Sequence, residues 1–280
     1  MEKINLKYRG CYQVEAPRPI KLQIPGWAGE ENRHTDGDKP QPWHCTPFVE
    51  AATYGLELCY AFDTEFRVQM VDGKLSFIGD FDAEHTRIPN VPNPPFLSFA
   101  EGHFGMSSFL DIKVPDGYVL RIEPHPRFYT DDTHTVPLAI AGHLNTAMWT
   151  KFFFVVFKNP MPGQTYIFRK GEPYAQILIL PRKTNYDVQL MTPMEQSKRS
   201  MLDEQVTKYA KQFVTNDWYD YLGHNFDDKY KILNNIYVKK GLSGVNQFLD
   251  SVIRKFHQGN GKKIKRRLFM VKNKNEKRKN

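Results

Sequence analysis

The hydrophobic pattern before residue 190 has a period of about two, whereas the pattern after residue 192 has a period of about 3.6. Loose alternation over 56–70 and an apolar stretch over 74–78 are joined by Asp72-Gly73, which is a strong hairpin signal. The run Phe152-Phe153-Phe154-Val155-Val156 does not alternate, so we expect a strand within 150–157 that is buried on both faces. The chain before residue 190 is therefore predicted to fold mainly as β-sheet.

Turn signals separate these strands. Pro115-Asp116-Gly117-Tyr118 combines a proline of fixed φ with a glycine that is free to take positive φ, as a tight turn between strands requires. Lys170-Gly171-Glu172-Pro173 stands in the same way before the apolar residues 174–180. Upstream, Thr46-Pro47 is typical of an N-cap followed by proline, and it predicts a short helix over 47–54 that Gly55 ends.

The C-terminal part of the chain is predicted to be helical. Thr192-Pro193-Met194-Glu195 has the form of a capping box and predicts a helix that ends near residue 215. We expect a second amphipathic helix over 218–238 and a third over 245–256, with glycines between them. The predicted organisation is a Pro- and Gly-rich N-terminal arm, a β-rich body, a helical appendage and a basic tail, with bounds 1–45, 46–190, 191–257 and 258–280.

Three segments within 115–182 carry a resemblance to a known family. They are Pro115-Asp116-Gly117-Tyr118 with Arg127, then 142–159, then Gly171-Glu172-Pro173-Tyr174-Ala175-Gln176. In this order and spacing the chain resembles the trimeric deoxyuridine triphosphatase (dUTPase) and deoxycytidine triphosphate deaminase superfamily, and the resemblance covers about a quarter of the chain. It implies a β-clip body, a homo-oligomer of three subunits and a phosphate-contacting arginine.

A second resemblance is to an uncharacterised bacterial family of unknown function. It is carried by Trp43-His44-Cys45-Thr46-Pro47, followed by an aromatic strand and the strand after Gly171. This resemblance implies no activity.

The chain departs from the dUTPase motifs where the chemistry would occur. Phe128 follows Arg127 where the family has serine, and His143-Leu144-Asn145-Thr146 lacks the aspartate that holds the attacking water. Without that carboxylate, attack of water on a phosphate has no evident general base. We therefore predict a non-catalytic or catalytically altered dUTPase-like binding protein for a nucleotide or another small anionic ligand. Enzymatic activity and any cofactor are left open.

Arg127 and Gln176 are the first two candidate ligand-binding residues. Arg127 stands where the resemblance places a phosphate contact, and a guanidinium fork suits that contact well. The alternative for Arg127 is a surface arginine that pairs with a nearby acid such as Asp131. The alternative for Gln176 is a hydrogen bond to a neighbouring residue or a subunit contact.

Three further candidates lie in the segment that would line a nucleoside pocket. His143 and Asn145 carry ring and amide groups that can recognise a base edge, and Trp149 can stack on a base. The alternative is that all three are structural residues of a turn. The sequence leaves both interpretations open.

A group of histidines gives a different alternative, a metal-dependent enzyme. His125, His134 and His143 with Asp131 or Asp132 offer imidazole and carboxylate ligands that suit zinc or ferrous iron. Their spacing matches no standard ligand motif, so no metal ligand is assigned and ordinary loop or core histidines are the competing interpretation.

The basic charge of the chain is concentrated at its end. The formal net charge is +8, but residues 254–280 contain twelve Lys or Arg and one Glu, which leaves −3 for the remainder. A polycation on a mildly acidic body is typical of a tether for nucleic acid. The predicted nucleic-acid-binding residues are Lys262, Lys263, Lys265, Arg266 and Arg267. The alternative function is thus a structural or assembly protein whose β-body oligomerises and whose tail binds nucleic acid. The other interpretation of the tail is a solvated, disordered end that keeps the protein soluble.

The remaining composition bears on compartment and partners. Cys11, Cys45 and Cys59 are too few and too scattered for a disulfide framework, so we expect reduced thiols and a cytoplasmic location. The sequence has no long apolar run and no signal-peptide pattern, so we expect no membrane partner.

Overall fold

The computed structural model describes residues 4–10, 14–20, 45–79, 95–131, 133–219 and 222–259. By its contacts the chain divides into two compact units. One comprises 1–37 with 47–185 and is called the β-body here; the other comprises 38–46 with 186–280 and is called the helical unit. The prediction of a mainly-β protein with a C-terminal helical segment is confirmed.

Short antiparallel strands make up most of the β-body. They are β1 (Lys7–Gly10), β2 (Arg18–Pro19), β3 (Leu56–Cys59), β4 (Phe66–Val71), β5 (Lys74–Ile78), β6 (Phe96–Ala100), β7 (His103–Ser107), β8 (Leu110–Lys113), β9 (Tyr118–Pro124), β10 (Gly142–Leu144), β11 (Phe154–Lys158), β12 (Thr165–Phe168) and β13 (Pro173–Pro181). Helix α1 (Thr46–Ala52) precedes β3, and a 3-10 helix (Pro126–Thr130) follows β9.

The described strands of the β-body form one large sheet and three small ones. The five-stranded sheet has the order β10-β9-β13-β3-β2, the two three-stranded sheets have the orders β11-β7-β6 and β12-β4-β5, and β1 pairs with β8. Every pairing is antiparallel, and β13 pairs along most of its length with β9. Strands distant in sequence therefore lie side by side in the β-body.

The predicted turns are confirmed because each contains a glycine in the left-handed region. Gly117 has φ of 84°, and the Tyr118 N–H donates to the Pro115 carbonyl at 3.2 Å. Gly171 has φ of 78° in the turn that leads into β13. The predicted hairpin is also present, with β4 and β5 joined by Asp72-Gly73.

Aromatic side chains from several strands fill the core of the β-body. The rings of Phe104 and Phe157 stack with centroids 5.0 Å apart, and Phe96 meets Phe168 edge-on at 5.0 Å. Phe104 and Phe157 have no exposed surface. Burial of one such side chain contributes about 1.5–3 kcal/mol.

The expectation that the strand at 150–157 is buried on both faces is wrong. Val155 and Phe157 of β11 are buried, but Phe154 and Val156 on the opposite face are only half-buried. The hydrophobic residues of the second face are thus covered only in part. The unbroken apolar run therefore predicted more burial than this strand has.

The helical unit contains α2 (Pro193–Phe213), the strand pair β14 (Asp217–Tyr219) and β15 (Asn225–Asp227), and α3 (Lys229–His257). The predicted capping box is confirmed: the Glu195 N–H donates to the Thr192 hydroxyl oxygen at 3.3 Å, and the Thr192 N–H donates to the Glu195 carboxylate at 2.8 Å. A small apolar core joins α2 and α3, formed by Tyr209, Phe213, Val245, Leu249 and Val252.

The predicted helix over 218–238 is wrong in its first part. The chain forms the β14–β15 hairpin there, with Trp218 stacked on Phe226 and Gly223 at φ of 84°, and α3 begins only at Lys229. A cross-strand aromatic pair and a left-handed glycine favour the hairpin over a helix. The backbone of α3 departs from helical angles at Gly241, where the sequence predicted a break. In the described ranges, no helix has the length and apolar character needed to cross a membrane.

Candidate functional site

One face of the five-stranded sheet carries a row of polar side chains. Residues directly opposite each other in antiparallel strands point to the same face. The pairs Arg18 with Glu57, Glu57 with Gln176, and Gln176 with Glu123 therefore share one face across β2, β3, β13 and β9. Two residues earlier on β9, Arg121 lies opposite His143 of β10 and extends the row to the edge of the sheet.

The other face of the same sheet is apolar and belongs to the core. Leu58, Ala175, Ile177, Ile122 and Leu120 alternate with the polar row and are between 0 and 4% exposed. The period-two pattern of each strand thus fixes which side chains can reach the polar face.

Glu57 is a buried carboxylate at the centre of the polar row, with only 3% of its surface exposed. Its Oε1 accepts a hydrogen bond from Arg18 Nε at 2.6 Å, and its Oε2 lies 3.3 Å from His125 Nε2. Burial by itself would raise the pKa of Glu57, but the hydrogen bonds from His125 and Arg18 outweigh burial and lower the pKa. Glu57 is therefore ionised at neutral pH.

His125 links Glu57 to the 3-10 helix. It is 5% exposed and occupies the N-cap position, where its Nδ1 accepts a hydrogen bond from the Arg127 backbone N–H at 3.2 Å. Since Nδ1 is an acceptor, the ring proton lies on Nε2 and is donated to Glu57. Burial lowers the pKa of His125 by more than the contact with Glu57 raises it, which favours the neutral ring.

Arg127 begins a chain of alternating charges that we call the arginine chain. Arg127 Nη1 lies 2.9 Å from Glu172 Oε2, and Arg169 Nη1 lies 3.7 Å from Glu172 Oε1. Arg169 Nε also contacts Glu65 at 2.8 Å, and Arg67 Nε contacts the same carboxylate at 2.7 Å. Three guanidinium groups thus share two carboxylates, and Arg127 is the least exposed of the three, at 19%.

Arg127 pairs with Glu172. Asp131 instead accepts hydrogen bonds from Thr133 and from the Val136 N–H within its own loop. The sequence could not identify Glu172 as the partner, because it lies 45 residues further along the chain.

His143, Asn145 and Trp149 lie on β10 and in the turn that follows it. His143 is exposed, with Nε2 3.3 Å from Arg121 Nη1. The Asn145 carbonyl accepts a hydrogen bond from the Trp149 N–H at 3.1 Å, which closes the turn. The Trp149 ring is 45% exposed, and Lys151 Nζ lies 5.9 Å from its centre. The turn geometry accounts for Asn145 and leaves the Trp149 ring at the surface.

Gln176 is buried and directed at helix α1. Its Nε2 donates to the Ala51 carbonyl at 3.0 Å and to the Tyr54 carbonyl at 2.6 Å. Ala51 lies in the last turn of α1 and Tyr54 lies just beyond it, where backbone carbonyls need donor partners outside the regular helical hydrogen bonds. Gln176 therefore lies on the same polar face as His143, and its side-chain amide donates its hydrogen bonds to backbone carbonyls.

A small depression in the β-body is lined by residues that include Cys59, Tyr174, Ser107, Ser108 and Phe109. Phe109 has φ of 52°, an unusual backbone conformation for a bulky residue. Burial, and then the charge of Glu57, raise the pKa of Cys59 to about 12. The thiol is thus protonated at neutral pH and is not an activated nucleophile.

The histidines considered as metal ligands lie in different surroundings. His125 contacts Glu57, His143 contacts Arg121, and His134 is an exposed turn residue with φ of 55°. Across the residues that the structure describes, no three His, Cys, Asp or Glu side chains are grouped in a way that could hold a metal ion. Asp132 lies outside the described residues, as do the tail residues Lys262, Lys263, Lys265, Arg266 and Arg267.

Comparison with solved structures finds dUTPases. The native dUTPase of EIAV is 13% identical, with a TM-score of 0.32 over 68% of this chain and 98% of that chain. The dUTPase from phage phi11 of S. aureus and that of Staphylococcus bacteriophage 80alpha are each 11% identical, with a TM-score of 0.36 over 67% of this chain and 97% of theirs. At this level of likeness, the comparisons assign neither an activity nor a ligand to this chain.

No protein-family model matches the sequence, and no curated protein matches it either.

Proposed function

We propose that the β-body binds a small anionic ligand, such as a nucleotide, at the arginine chain. The observation that carries this proposal is that contacts with Glu65 and Glu172 bring Arg67, Arg127 and Arg169 together. Planar guanidinium groups suit phosphate oxygens.

Arg127 is the residue on which this proposal depends most. Its side chain is 19% exposed, so solvent screens an ionic contact there less than at Arg169, which is 46% exposed. The pair with Glu172 holds the guanidinium in place before a ligand arrives. Such preorganisation lowers the entropic cost of binding. His143, Asn145, Trp149 and Gln176 remain predicted ligand contacts.

Binding without hydrolysis is the form of the function that the chemistry supports. The segment His143-Leu144-Asn145-Thr146 supplies no carboxylate base, and the Cys59 thiol is protonated. The carboxylates at the arginine chain, Glu65 and Glu172, are each held in ion pairs with arginine, which makes them weak bases for the activation of water. We therefore expect a nucleoside triphosphate to be recovered intact after incubation with the protein.

The test is a thermal-shift titration with nucleoside triphosphates, inorganic triphosphate and sulfate. A ligand at about 100 times its Kd stabilises the native state by about 2.7 kcal/mol, which is readily measured. Arg127→Ala should abolish the shift. Arg9→Ala is the matched control, since Arg9 is an exposed arginine that pairs with Asp111 on the small β1–β8 sheet. A shift that survives Arg127→Ala, or that both variants lose equally, would remove the proposed site.

The second candidate function is that of an assembly protein that binds nucleic acid through its C-terminal region. The observation that favours it is that α3, Lys229–His257, contains six Lys or Arg and one Asp. Arg254, Lys255 and His257 lie in its last turn, where the negative end of the helix dipole favours cations. The predicted contacts at 262–267 follow directly in the sequence.

Nucleic-acid binding of this kind is tested by its salt dependence. A full-length variant with Lys262, Lys263, Lys265, Arg266 and Arg267 changed to Gln should bind DNA and RNA more weakly. The slope of log affinity against log salt should also be shallower, because fewer counterions are released. The thermal-shift response to sulfate serves as the control for an intact β-body. An unchanged salt slope would exclude these five residues as phosphate contacts.

Both functions include self-association of the β-body, and the resemblance to trimeric dUTPases implies three subunits. Light scattering coupled to size-exclusion chromatography measures the subunit number directly. A monomer at all concentrations would contradict the proposed assembly but not the anion site.

A further inference from the structure

His125 connects a buried carboxylate to the arginine that is proposed to bind the ligand. The contacts run from Glu57 Oε2 to His125 Nε2 over 3.3 Å, and from His125 Nδ1 to the Arg127 backbone N–H over 3.2 Å. Arg127 in turn reaches Glu172 with its side chain. A single imidazole therefore lies between the polar face of the sheet and the arginine chain.

The contact with Arg127 can exist only while Nδ1 is unprotonated. A backbone N–H can only donate, so it requires a lone pair on the ring nitrogen that faces it. A proton on Nδ1 would place two donors against each other at a site where His125 is 5% exposed and water cannot easily intervene. The Glu57 contact is different, since Nε2 carries a proton in both the neutral and the charged ring.

We propose that His125 is a positioning residue that holds Arg127 in its binding position only when the imidazole is neutral, so that acidification releases the start of the 3-10 helix and weakens anion binding. The part of this inference that concerns anion binding rests on the proposed function. The part that concerns the Arg127 backbone does not depend on it.

The surroundings of His125 agree with this dependence on protonation. The charged groups that act on the His125 ring are Glu57 on β3, Arg18 on β2 and Arg127 on the 3-10 helix. Cys59 contacts Glu57, and Glu172 pairs with Arg127. The carboxylate of Glu57 favours a charged His125 ring, but this carboxylate already accepts a hydrogen bond from Arg18. Burial and the positive charges of Arg18 and Arg127 favour the neutral ring. Protonation is thus expected somewhat below the ordinary range of a histidine.

The test follows the Arg127 amide and the His125 ring by NMR in the wild-type full-length chain from about pH 8 to about pH 5. At the upper pH the ring should carry its proton on Nε2. As His125 takes up a second proton, the protection factor of the Arg127 amide, which is its exchange rate relative to the intrinsic rate at the same pH, should fall. Protection that falls at Arg127 but not at the paired amides of β9 and β13 distinguishes loss of this hydrogen bond from opening of the whole fold.

Sulfate binding is measured over the same pH range, because sulfate keeps its double charge throughout while phosphate does not. The affinity of the wild type should fall about fivefold at the lower pH, as loss of one N-cap contact would cause. His125→Asn retains an N-cap acceptor that does not titrate, so its sulfate affinity should not vary with pH. His125→Ala should bind sulfate weakly at both pH values.

The matched control is His134→Asn. His134 is exposed and has φ of 55°, a conformation that asparagine tolerates, so this variant should keep the wild-type pH dependence. If the His125 variants do not fold, the wild-type NMR titration alone still decides the matter.

The outcomes separate the two claims. An Arg127 amide that stays protected while the His125 ring titrates would show that His125 does not position Arg127. A sulfate affinity that stays constant while the amide opens would also overturn the inference. An amide that opens with His125 while sulfate binds at no pH would support the positioning role and remove the anion site.

Discussion

The β-body and the helical unit place their charges in different ways. In the β-body, polar side-chain contacts join residues far apart in sequence: Arg18 and Glu57 are 39 residues apart, and His125 and Glu57 are 68 apart. In the helical unit, the capping box joins Thr192 and Glu195, which are three residues apart. The difference teaches that a site assembled across strands depends on the whole fold, whereas the ends and charges of a helix depend mainly on local sequence.

The two units also differ in the size of their hydrophobic cores. Among the residues that the structure describes, the hydrophobic core cluster of the β-body contains twenty-three buried residues, whereas that of the helical unit contains five. Residues 193–201 at the start of α2 are all exposed. Single substitutions should therefore affect stability most in the core of the β-body, less in its buried ionic contacts, and least at a helix end.

The largest effect is expected from Phe104→Ala. Phe104 has no exposed surface and meets the rings of Phe157 and Phe168. Removing the ring leaves a cavity and should lower the free energy of unfolding by about 3–5 kcal/mol, measured by urea denaturation. The control is Phe99→Ala on neighbouring β6, where the side chain is 55% exposed and about 0.5 kcal/mol is expected. Equal losses in the two variants would contradict the described core.

A smaller loss is expected from Glu57→Ala, which leaves His125 and Arg18 without their carboxylate partner. Breaking a fully buried ionic contact costs about 3–5 kcal/mol, but Arg18 is 38% exposed and can be rehydrated, so we expect about 2–3 kcal/mol. Arg9→Ala is the control, because Arg9 is 67% exposed in its pair with Asp111 and should contribute less than about 1 kcal/mol. If the two variants lose the same free energy, Glu57 is not buried as described.

The pH dependence of stability should show the same buried contacts. The pKa of His125 is lowered from its ordinary value of 6.5, so below that pH the unfolded chain binds protons first and stability falls. The pKa of Glu57 is lowered from 4.5, so its contribution is present above that pH and is lost as the pH falls through the folded value. Both groups therefore destabilise the fold in acid, one after the other.

Urea denaturation at a series of pH values measures this dependence. His125→Asn should remove the loss of stability that begins near pH 6.5 and leave the loss that begins near pH 4.5. His134→Asn should show both losses of stability, as the wild type does. A wild-type stability that is constant between neutral pH and 4.5 would contradict a neutral, buried His125.

The sequence predicted best what is fixed by a few neighbouring residues. The turns at Gly117 and Gly171 follow from glycines that can take positive φ, and the Thr192 capping box follows from side chains one helical turn apart. The period-two pattern also distinguished the β-body from the helices that follow it. These predictions depend on local geometry, so they needed no knowledge of the tertiary fold.

The candidate site could be predicted only in part, because its partners come from separate strands. Arg127 was identified as a candidate, but its partner Glu172 was not, and Glu57 was not considered at all. A charged residue within an apolar strand, as in Leu56-Glu57-Leu58, was the one available signal that a buried polar contact existed. The hairpin at 217–227 was missed because its aromatic residues also fit a helical pattern.

The smallest effect is expected at the end of α2, with Thr192→Ala. The Thr192 hydroxyl accepts the Glu195 N–H, and both residues are exposed, so the loss should be about 1 kcal/mol and confined to the helical unit. Circular dichroism should show fraying of α2, and Thr192→Ser should restore the helix because serine keeps the hydroxyl. The thermal-shift response to sulfate should stay unchanged, since the arginine chain lies wholly in the β-body. A Thr192→Ala variant that weakened sulfate binding would show that the two units are energetically coupled. It would contradict the view that the helix depends on local sequence while the site depends on the fold of the β-body.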